Sequence, residues 1–298
     1  MTSPLIRLAH FSDIHLTADP LGWRPSDWGS KRVTGWLNGR LGRGQRFRDA
    51  DTIVAALHDD IRQRGCQHQI FSGDASTMGF TAEFAAAAAA LHVDASDGIS
   101  GLAVPGNHDY YVSSASRTGA FEACFARWQQ GDRIGAEIYP FAQRVGHCWL
   151  VAVNSAVPNA LLWDARGRVG QAQLGRLRVL LAGLEPGPRI LVTHYPIYLH
   201  DGRPEDRWRL LRDGRELLRI AIENNVSCWL HGHRHSGYVL KPTAERLFPI
   251  ICAGSATQEG RWSWNEYVIS DRQLTMVRRT WNGHGFADAE TGTIDLPV

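Results

Sequence analysis

The chain has 298 residues, 44% of them hydrophobic, and a formal net charge of +2. That length supports one large buried core, and the small charge argues against a nucleic-acid partner for the chain as a whole. No run of eighteen apolar residues marks a membrane span, no basic-then-apolar leader precedes the first strand, and five scattered cysteines lack CxxC spacing, so a cytoplasmic protein with reduced thiols is expected.

The first expected element is a strand, Leu5 to Ser12, followed at once by Asp13-Ile14-His15. Leu21 to Arg48 does not read as core. Arg24, Lys31, Arg32, Arg40, Arg43, Arg46 and Arg48 face a single acid, Asp27, with Trp23, Trp28, Trp36, Leu37 and Leu41 interleaved. Because it follows the first block, it should hang over that point as a loop with a short helix. Two readings stand side by side: a solvated cover with its tryptophans against the domain, or a substrate cap whose arginines meet phosphates and whose aromatics meet something apolar. A helix is expected over Asp49 to Arg64, and a strand over His68 to Ser72 that ends at Gly73-Asp74. The alanine run of Thr81 to His92 favours a helix. Gly101 to Pro105 is strand-like and ends at Gly106-Asn107-His108-Asp109.

Ser114 to Gln129 reads as one helix, and Tyr139 to Val145 with His147 to Val153 as an antiparallel pair. A helix over Gln171 to Leu184 precedes the strand Arg189 to Thr193, which ends at His194. After a helix over Asp213 to Asn224, the strand Ser227 to Leu230 leads into His231-Gly232-His233-Arg234-His235. Strands are then expected at Tyr238–Lys241, Phe248–Ala253, Trp264–Ser270 and Leu274–Trp281, forming a second sheet that faces the first. The tail from Asn282 has a weak pattern and is expected to lie loosely on the surface. Alternating strands and helices make the class α/β. Without a repeat or a Pro/Gly/Ser-rich linker, residues 1–298 read as a single domain, with a basic Trp-rich cap inserted at about 21–48.

Five short blocks rich in Asp, His and Asn thus sit just past the carboxyl ends of strands, the edge where open α/β sheets gather their sites. They span fifteen residues but hold six of the thirteen histidines, too many for a random share. Mixed imidazole and oxygen donors suit divalent metals. Two such ions about 3.5–4 Å apart form a clamp for phosphate esters.

In this order the motifs D-x-H, GD, GNHD, H and GHxH resemble the calcineurin-like metallophosphoesterase superfamily, from residue 13 to residue 235. The resemblance implies a four-layer αββα sandwich, two mixed sheets flanked by helices. It implies that Asp13, His15 and His235 hold one metal ion, that Asn107, His194 and His233 hold another, and that Asp74 bridges the two. A carboxylate has two oxygens and can span two cations, and neutral imidazoles leave the pair's charge unquenched. The ions would be divalent or mixed-valence Mn, Fe or Zn. His231 precedes the GHxH pattern and reads as structural. His108 is the catalytic candidate, stabilising developing charge or protonating the leaving oxygen. Asp109 either orients His108 or caps the next helix.

The implied reaction is direct hydrolysis of a phosphodiester or pyrophosphate by a hydroxide held between the metals. No GxSxG elbow or GxxxxGK[ST] loop offers another device. The chain departs from the family pattern after Gly73-Asp74, where Ala75, Ser76 and Thr77 replace the acid or amide common three positions on.

Lys31-Arg32 to Leu37-Asn38, with Gly35 between, is similar to a subgroup that cleaves the pyrophosphate of UDP-diacylglucosamine. A lipid-linked phosphoester, with peripheral contact through the cap at the inner face of the membrane, is the expectation that follows. The alternatives are a cyclic-nucleotide or glycerophosphodiester phosphodiesterase, and a metal-binding scaffold without turnover. An apolar groove under the cap would favour the lipid, and a polar nucleoside-sized pocket the nucleotide. Scaffold relatives usually lose a ligand or the catalytic histidine, whereas every position is filled here. His10 is expected in the core and His200 could line the pocket, whereas His58, His68, His92, His147 and His284 need no role.

Overall fold

Buried strands that read as unbroken apolar runs send alternate side chains into two different cores. The computed structural model describes residues 5–161, 163–270 and 273–296. Its strands are β1 (Ile6–Phe11), β2 (His68–Phe71), β3 (Gly101–Ala103), β4 (Asp132–Arg133), β5 (Phe141–Val145), β6 (Cys148–Ala152) and β7 (Arg189–Val192). They continue as β8 (Val226–His231), β9 (Tyr238–Leu240), β10 (Ile250–Cys252), β11 (Ser263–Ile269), β12 (Gln273–Trp281) and β13 (Phe286–Asp295). The α-helices are α1 (Arg32–Asn38), α2 (Ala50–Gln63), α3 (Thr81–Ala90), α4 (Ser113–Thr118), α5 (Ala120–Cys124), α6 (Gln171–Gly183) and α7 (Gly214–Glu223).

Among the described residues the strands form two mixed sheets, ordered β13-β12-β11-β1-β2-β3 and β4-β5-β6-β7-β8-β10-β9. Alternation sets the layers. In β6, Cys148, Leu150 and Ala152 enter the core between the sheets, while Trp149 and Val151 face α6 and α7. Leu8, Ile70 and Leu102 of the first sheet meet Ile190, Leu230 and Ile251 of the second in that central core. Outside the first sheet, Phe11, Phe71 and Trp264 pack with Val54 and Leu57 of α2 and Phe84 of α3. Outside the second, Trp229 and Leu191 pack with Leu177 and Leu181 of α6 and Leu217 and Ile220 of α7. Three cores between four layers make the αββα sandwich.

The structure corrects four expectations. The strands after residue 235 do not form a sheet of their own: β10 pairs parallel to β8, whereas β11 pairs antiparallel to β1. The C-terminal strands extend one edge of each sheet. The strands that carry the five blocks are consequently divided, β1–β3 in one sheet and β7–β8 in the other. Ser114 to Gln129 is not one helix, because Gly119 takes φ 60° and separates α4 from α5. The tail is not loose. β13 pairs with β12 along its length, and Arg278 reaches Glu290 at 2.6 Å. Its side chains are mostly exposed, so ladder hydrogen bonds hold it and no apolar period marks it in the sequence.

Two histidines outside the blocks link this packing to pH. His10 lies between the sheets, 3.0 Å from the Tyr267 hydroxyl and 2.9 Å from Ser72 Oγ. Burial, with repulsion from His231 and Arg278, pushes its pKa down to about 3. His68, 2.9 Å from Gln143 Oε1, is pushed down to about 4 by burial. Each binds a proton more readily in the unfolded chain, so this contribution is complete above about pH 6.5 and is lost as the pH falls toward 4. The urea midpoint should therefore drop between pH 7 and pH 4.5, and His68→Gln should flatten part of the slope. An unchanged slope would remove His68 from the account.

Candidate metal centre

Local backbone geometry turns the chain sharply in three of the five blocks. Asp13 (φ 55°), His15 (φ 43°), Asp74 (φ 61°), His233 (φ 70°) and His235 (φ 55°) all adopt left-handed conformations. Asp and His tolerate this region better than most residues, at a cost of roughly 1–2 kcal/mol each. Such strain persists where surrounding contacts over-determine it. Here the loops after β1 and β2 are zipped together: the Asp13 and His15 amides donate to the carbonyls of Gly73 and Asp74 at 2.9 and 3.0 Å. The sheets are also tied edge to edge, with the His233 amide donating to Asp13 Oδ2 at 2.9 Å. The glycines beside these residues admit the close approach. A Cβ on Gly106 would stand 2.1 Å from Asp74 Oδ1, and one on Gly232 would stand 1.8 Å from Ser12 Oγ.

Two groups of donor atoms result. Asp13, His15, Asp74 and His235 each place an oxygen or ring nitrogen within 4.8 Å of the others. Beside them, Asn107 Oδ1 lies 3.1 Å from His194 Nε2 and 2.8 Å from His233 Nδ1, and those two nitrogens are 3.3 Å apart. Asp74 Oδ2 stands between the groups, 3.7 Å from His15 Nε2 and 3.5 Å from His194 Nε2.

The outer nitrogens of the imidazoles set their tautomers. His15 Nδ1 donates to the Ser76 carbonyl at 3.2 Å, and His194 Nδ1 to the Ser72 carbonyl at 2.8 Å. His235 Nδ1 donates to Gln258 Oε1. Each Nε2 then turns a lone pair inward, and those of His15 and His235 face one another at 3.3 Å. Lone pairs at that distance repel unless a cation stands between them. Asp13 Oδ1, buried and 3.1 Å from His235 Nε2, accepts no hydrogen bond among the described residues. Burial opposes ionisation of Asp13, but His235, His194 and His15 hold its carboxyl well below the usual range. Burial, Asp13 and Asp109 push Asp74 the other way, well above it. Burial lowers His194 and, with repulsion from His194, His233. It would also depress His235, but Asp13 outweighs it and raises that pKa. The Asp13 and Asp74 carboxyl groups, the Asn107 amide oxygen and the imidazoles supply mixed oxygen and nitrogen donors, and this donor set fits a pair of divalent cations.

His108 stands at the edge of this group, its ring edge-on to His15 and stacked on Tyr111. Its Nδ1 donates to the Thr77 carbonyl at 2.7 Å, which sets the tautomer with the proton on Nδ1. Asp109 does not cap the next helix. Its carboxylate accepts the amides of Asp74, Ala75, Ser76 and Gly106 and the Ser76 hydroxyl, all between 2.8 and 3.2 Å, and α4 begins only at Ser113. Five donors on one buried carboxylate bind the loop after β2 to the loop after β3, so Asp109 positions Asp74. The departure at Ala75-Ser76-Thr77 is part of the same lock, since Ser76 supplies two of those donors and Thr77 the His108 acceptor. Asp109→Asn turns an amide NH2 toward these donors and should lower the unfolding free energy by about 2 kcal/mol. An unchanged urea midpoint would contradict this role.

His231 is buried with Nδ1 on the Gly232 carbonyl at 2.9 Å and stays outside both groups. His200 lines the cleft above them. Gln258 is a site residue that no motif announced; it lies in the loop after β10. In the cap, Arg32 is unavailable to phosphate: it is buried on Asp27 at 2.6 Å and on the carbonyls of Met78 and Gly79. Arg40 lies over Trp36, and Arg48 pairs with Glu259 at 3.4 Å. Arg46 alone among the cap's described arginine side chains reaches the cleft over the donor groups.

Two cavities meet at this point. The polar cleft, about 1120 Å³, has Asp74, Asn107, His233 and His235 in its wall. A mostly apolar cavity of about 760 Å³ lies under the cap, lined by Leu21, Trp23, Trp28, Trp36, Phe47 and Met78 among others. Phe47 and His108 belong to both walls.

The fold has counterparts among solved structures. The chain resembles a dimetal phosphatase from Danio rerio at 14% identity and a TM-score of 0.69, over 99% of this chain and 100% of that one. It resembles the purple acid phosphatase PPD1 from yellow lupin seeds at 12% identity and a TM-score of 0.62, over 98% of this chain and 54% of that one. It resembles PhoD at 8% identity and a TM-score of 0.64, over 99% of this chain and 70% of that one. At such identities the likeness shows the fold alone. No curated protein matches the sequence. The profile for calcineurin-like phosphoesterases matches residues 6–237. The chain therefore belongs to the calcineurin-like phosphoesterase family of metal-dependent phosphoester hydrolases.

Proposed function

We propose that this protein hydrolyses a phosphodiester or diphosphate one arm of which is apolar, a lipid-linked phosphoester of the UDP-diacylglucosamine type. The observation that carries the reading is the apolar cavity under the cap, which shares His108 with the polar cleft. A nucleoside arm would leave its polar groups unpaired among Trp23, Trp36 and Met78, whereas an alkyl arm buries there favourably. In this reading Asp13, His15 and His235 hold one cation, Asn107, His194 and His233 hold the other, and Asp74 serves both. Mn, Fe or Zn suits the mixed donors. Bound cations would neutralise phosphoryl oxygens and activate water.

The chain's own residues do the rest. His108, held by the Thr77 carbonyl, sits where the two cavities join and donates a proton to the oxygen that leaves toward the apolar side. Asp109 keeps Asp74 in place. Residues 21–48 act as a cap on a single domain. Outside that cavity the cap exposes Leu37 (44%) and Leu41 (84%), which would rest against a membrane that presents the lipid.

The test uses Mn-loaded protein and p-nitrophenyl phosphodiesters whose second arm grows from methyl to dodecyl, beside bis-p-nitrophenyl phosphate. Each methylene that enters the cavity should raise kcat/KM by about fourfold, until the cavity is full. A flat series would sink the apolar-arm reading, and absence of turnover throughout would sink hydrolysis of diesters.

A further inference from the structure

The polar cleft carries more positive charge than its donor groups explain. Four arginines line it, Arg46, Arg209, Arg234 and Arg261, against one carboxylate, Asp74. Arg234 is neutralised by Glu205 at 3.1 Å. The other three are exposed, and among the described residues their side chains make no hydrogen bond and no ion pair. Less exposed arginines elsewhere are engaged, Arg166 on Asp164, Arg278 on Glu290 and Arg279 on Asp60, whereas the exposed Arg117, Arg168 and Arg215 stand singly outside the cleft.

The three come from separate stretches and are anchored by their backbones. The Arg46 carbonyl accepts the Glu259 amide at 2.7 Å, which ties the end of the cap to the loop after β10. Arg261 donates its amide to Gln258, the residue that also holds His235. Arg209 donates its amide to Asp206 at 2.8 Å, beside the Ala165–Trp208 backbone bond. Like charges placed together on anchored backbones repel one another until an anion joins them, and a cleft focuses their field. Guanidinium forks match phosphoryl oxygens in pairs. The wall below them, Asp74, Asn107, His233 and His235, already serves the phosphorus that is attacked.

We infer that Arg46, Arg209 and Arg261 hold a second phosphoryl group of the substrate, one that is bound at the mouth of the cleft and not itself attacked. The inference rests on the hydrolase reading above and narrows it to substrates with two phosphoryl groups, a diphosphate diester first among them.

The experiment measures Kd of Mn-loaded protein for dodecyl methylenebisphosphonate and for dodecyl phosphonate by calorimetry. The carbon-bridged ligands share one tail and cannot be cleaved at the bridge. The preference for two phosphoryl groups should fall about tenfold for each of Arg46→Ala, Arg209→Ala and Arg261→Ala, as expected for lost charge-assisted hydrogen bonds. It should also weaken with salt in the wild type more than in the triple variant. Manganese content, measured on every variant, separates this loss from chelation by the bisphosphonate. An unchanged preference in the triple variant overturns the inference, even if diesters are hydrolysed. Loss of preference in a protein that cleaves no diester would uphold the anion site and overturn the hydrolase reading instead.

Discussion

Asp74→Ala is expected to empty both metal sites and to lower phosphodiesterase activity by about a thousandfold or more. The reason is its position: Oδ2 lies near a ring nitrogen of each donor group, 3.7 Å from His15 and 3.5 Å from His194. Its other oxygen accepts the His108 amide at 2.7 Å, so the substitution also frees the loop after β3. Removing one partner from a buried charged cluster costs about 3–5 kcal/mol, and each 1.4 kcal/mol is tenfold. Elemental analysis after gel filtration gives the occupancy. Asp74→Asn keeps shape and one carbonyl oxygen, so it should retain one ion more readily than two. Two full equivalents of metal in the alanine variant would refute the bridging role.

His108→Ala should leave metal content unchanged and cost about a hundredfold or more in kcat, the range of a positioned acid or base. The loss should depend on the leaving group. An alkoxide needs a proton as it departs, whereas p-nitrophenolate departs readily without one, so a dialkyl diester, the alkyl diester of this comparison, should suffer more than a p-nitrophenyl diester. Equal losses on both would assign His108 to binding or positioning instead. Full activity on the alkyl diester would end its candidacy. Its stacking on Tyr111 and its bond to Thr77 are local, so the substitution should leave Asp74 and Asp109 where they are.

Much of this architecture is legible in the chain because it is written locally. An apolar run followed by Asp13-Ile14-His15 or Gly73-Asp74 is a strand and its exit, and a reader needs only eight or ten residues to see it. The helices α2, α6 and α7 are equally local, since Val54, Leu57 and Ile61, or Leu217, Ile220 and Ala221, recur at helical spacing. Where the local pattern misleads, a single backbone feature or a pairing explains it. Gly119 in the left-handed region divides what looked like one helix. Exposed polar residues conceal β13, whose order comes from β12. Arg32 looked like a phosphate ligand by composition, yet Asp27 and two carbonyls bury it.

By itself, then, the sequence determined the kind of chemistry: which residue types follow which strands, and in what order. That much depends on neighbours in the chain. The tertiary structure decided what those residues do to one another. It divided the blocks between two sheets, because strand pairing is chosen by edges hundreds of residues apart. It brought His15 within 3.3 Å of His235, and it chose tautomers through the carbonyls of Ser72 and Ser76, groups every residue carries and no motif can mark. It gave Asp109 to the loop backbone, and it left the side chains of Arg46, Arg209 and Arg261 in one cleft without a hydrogen bond or ion pair among the described residues. Distances of a few ångströms between residues remote in sequence set these outcomes, and composition holds no record of them.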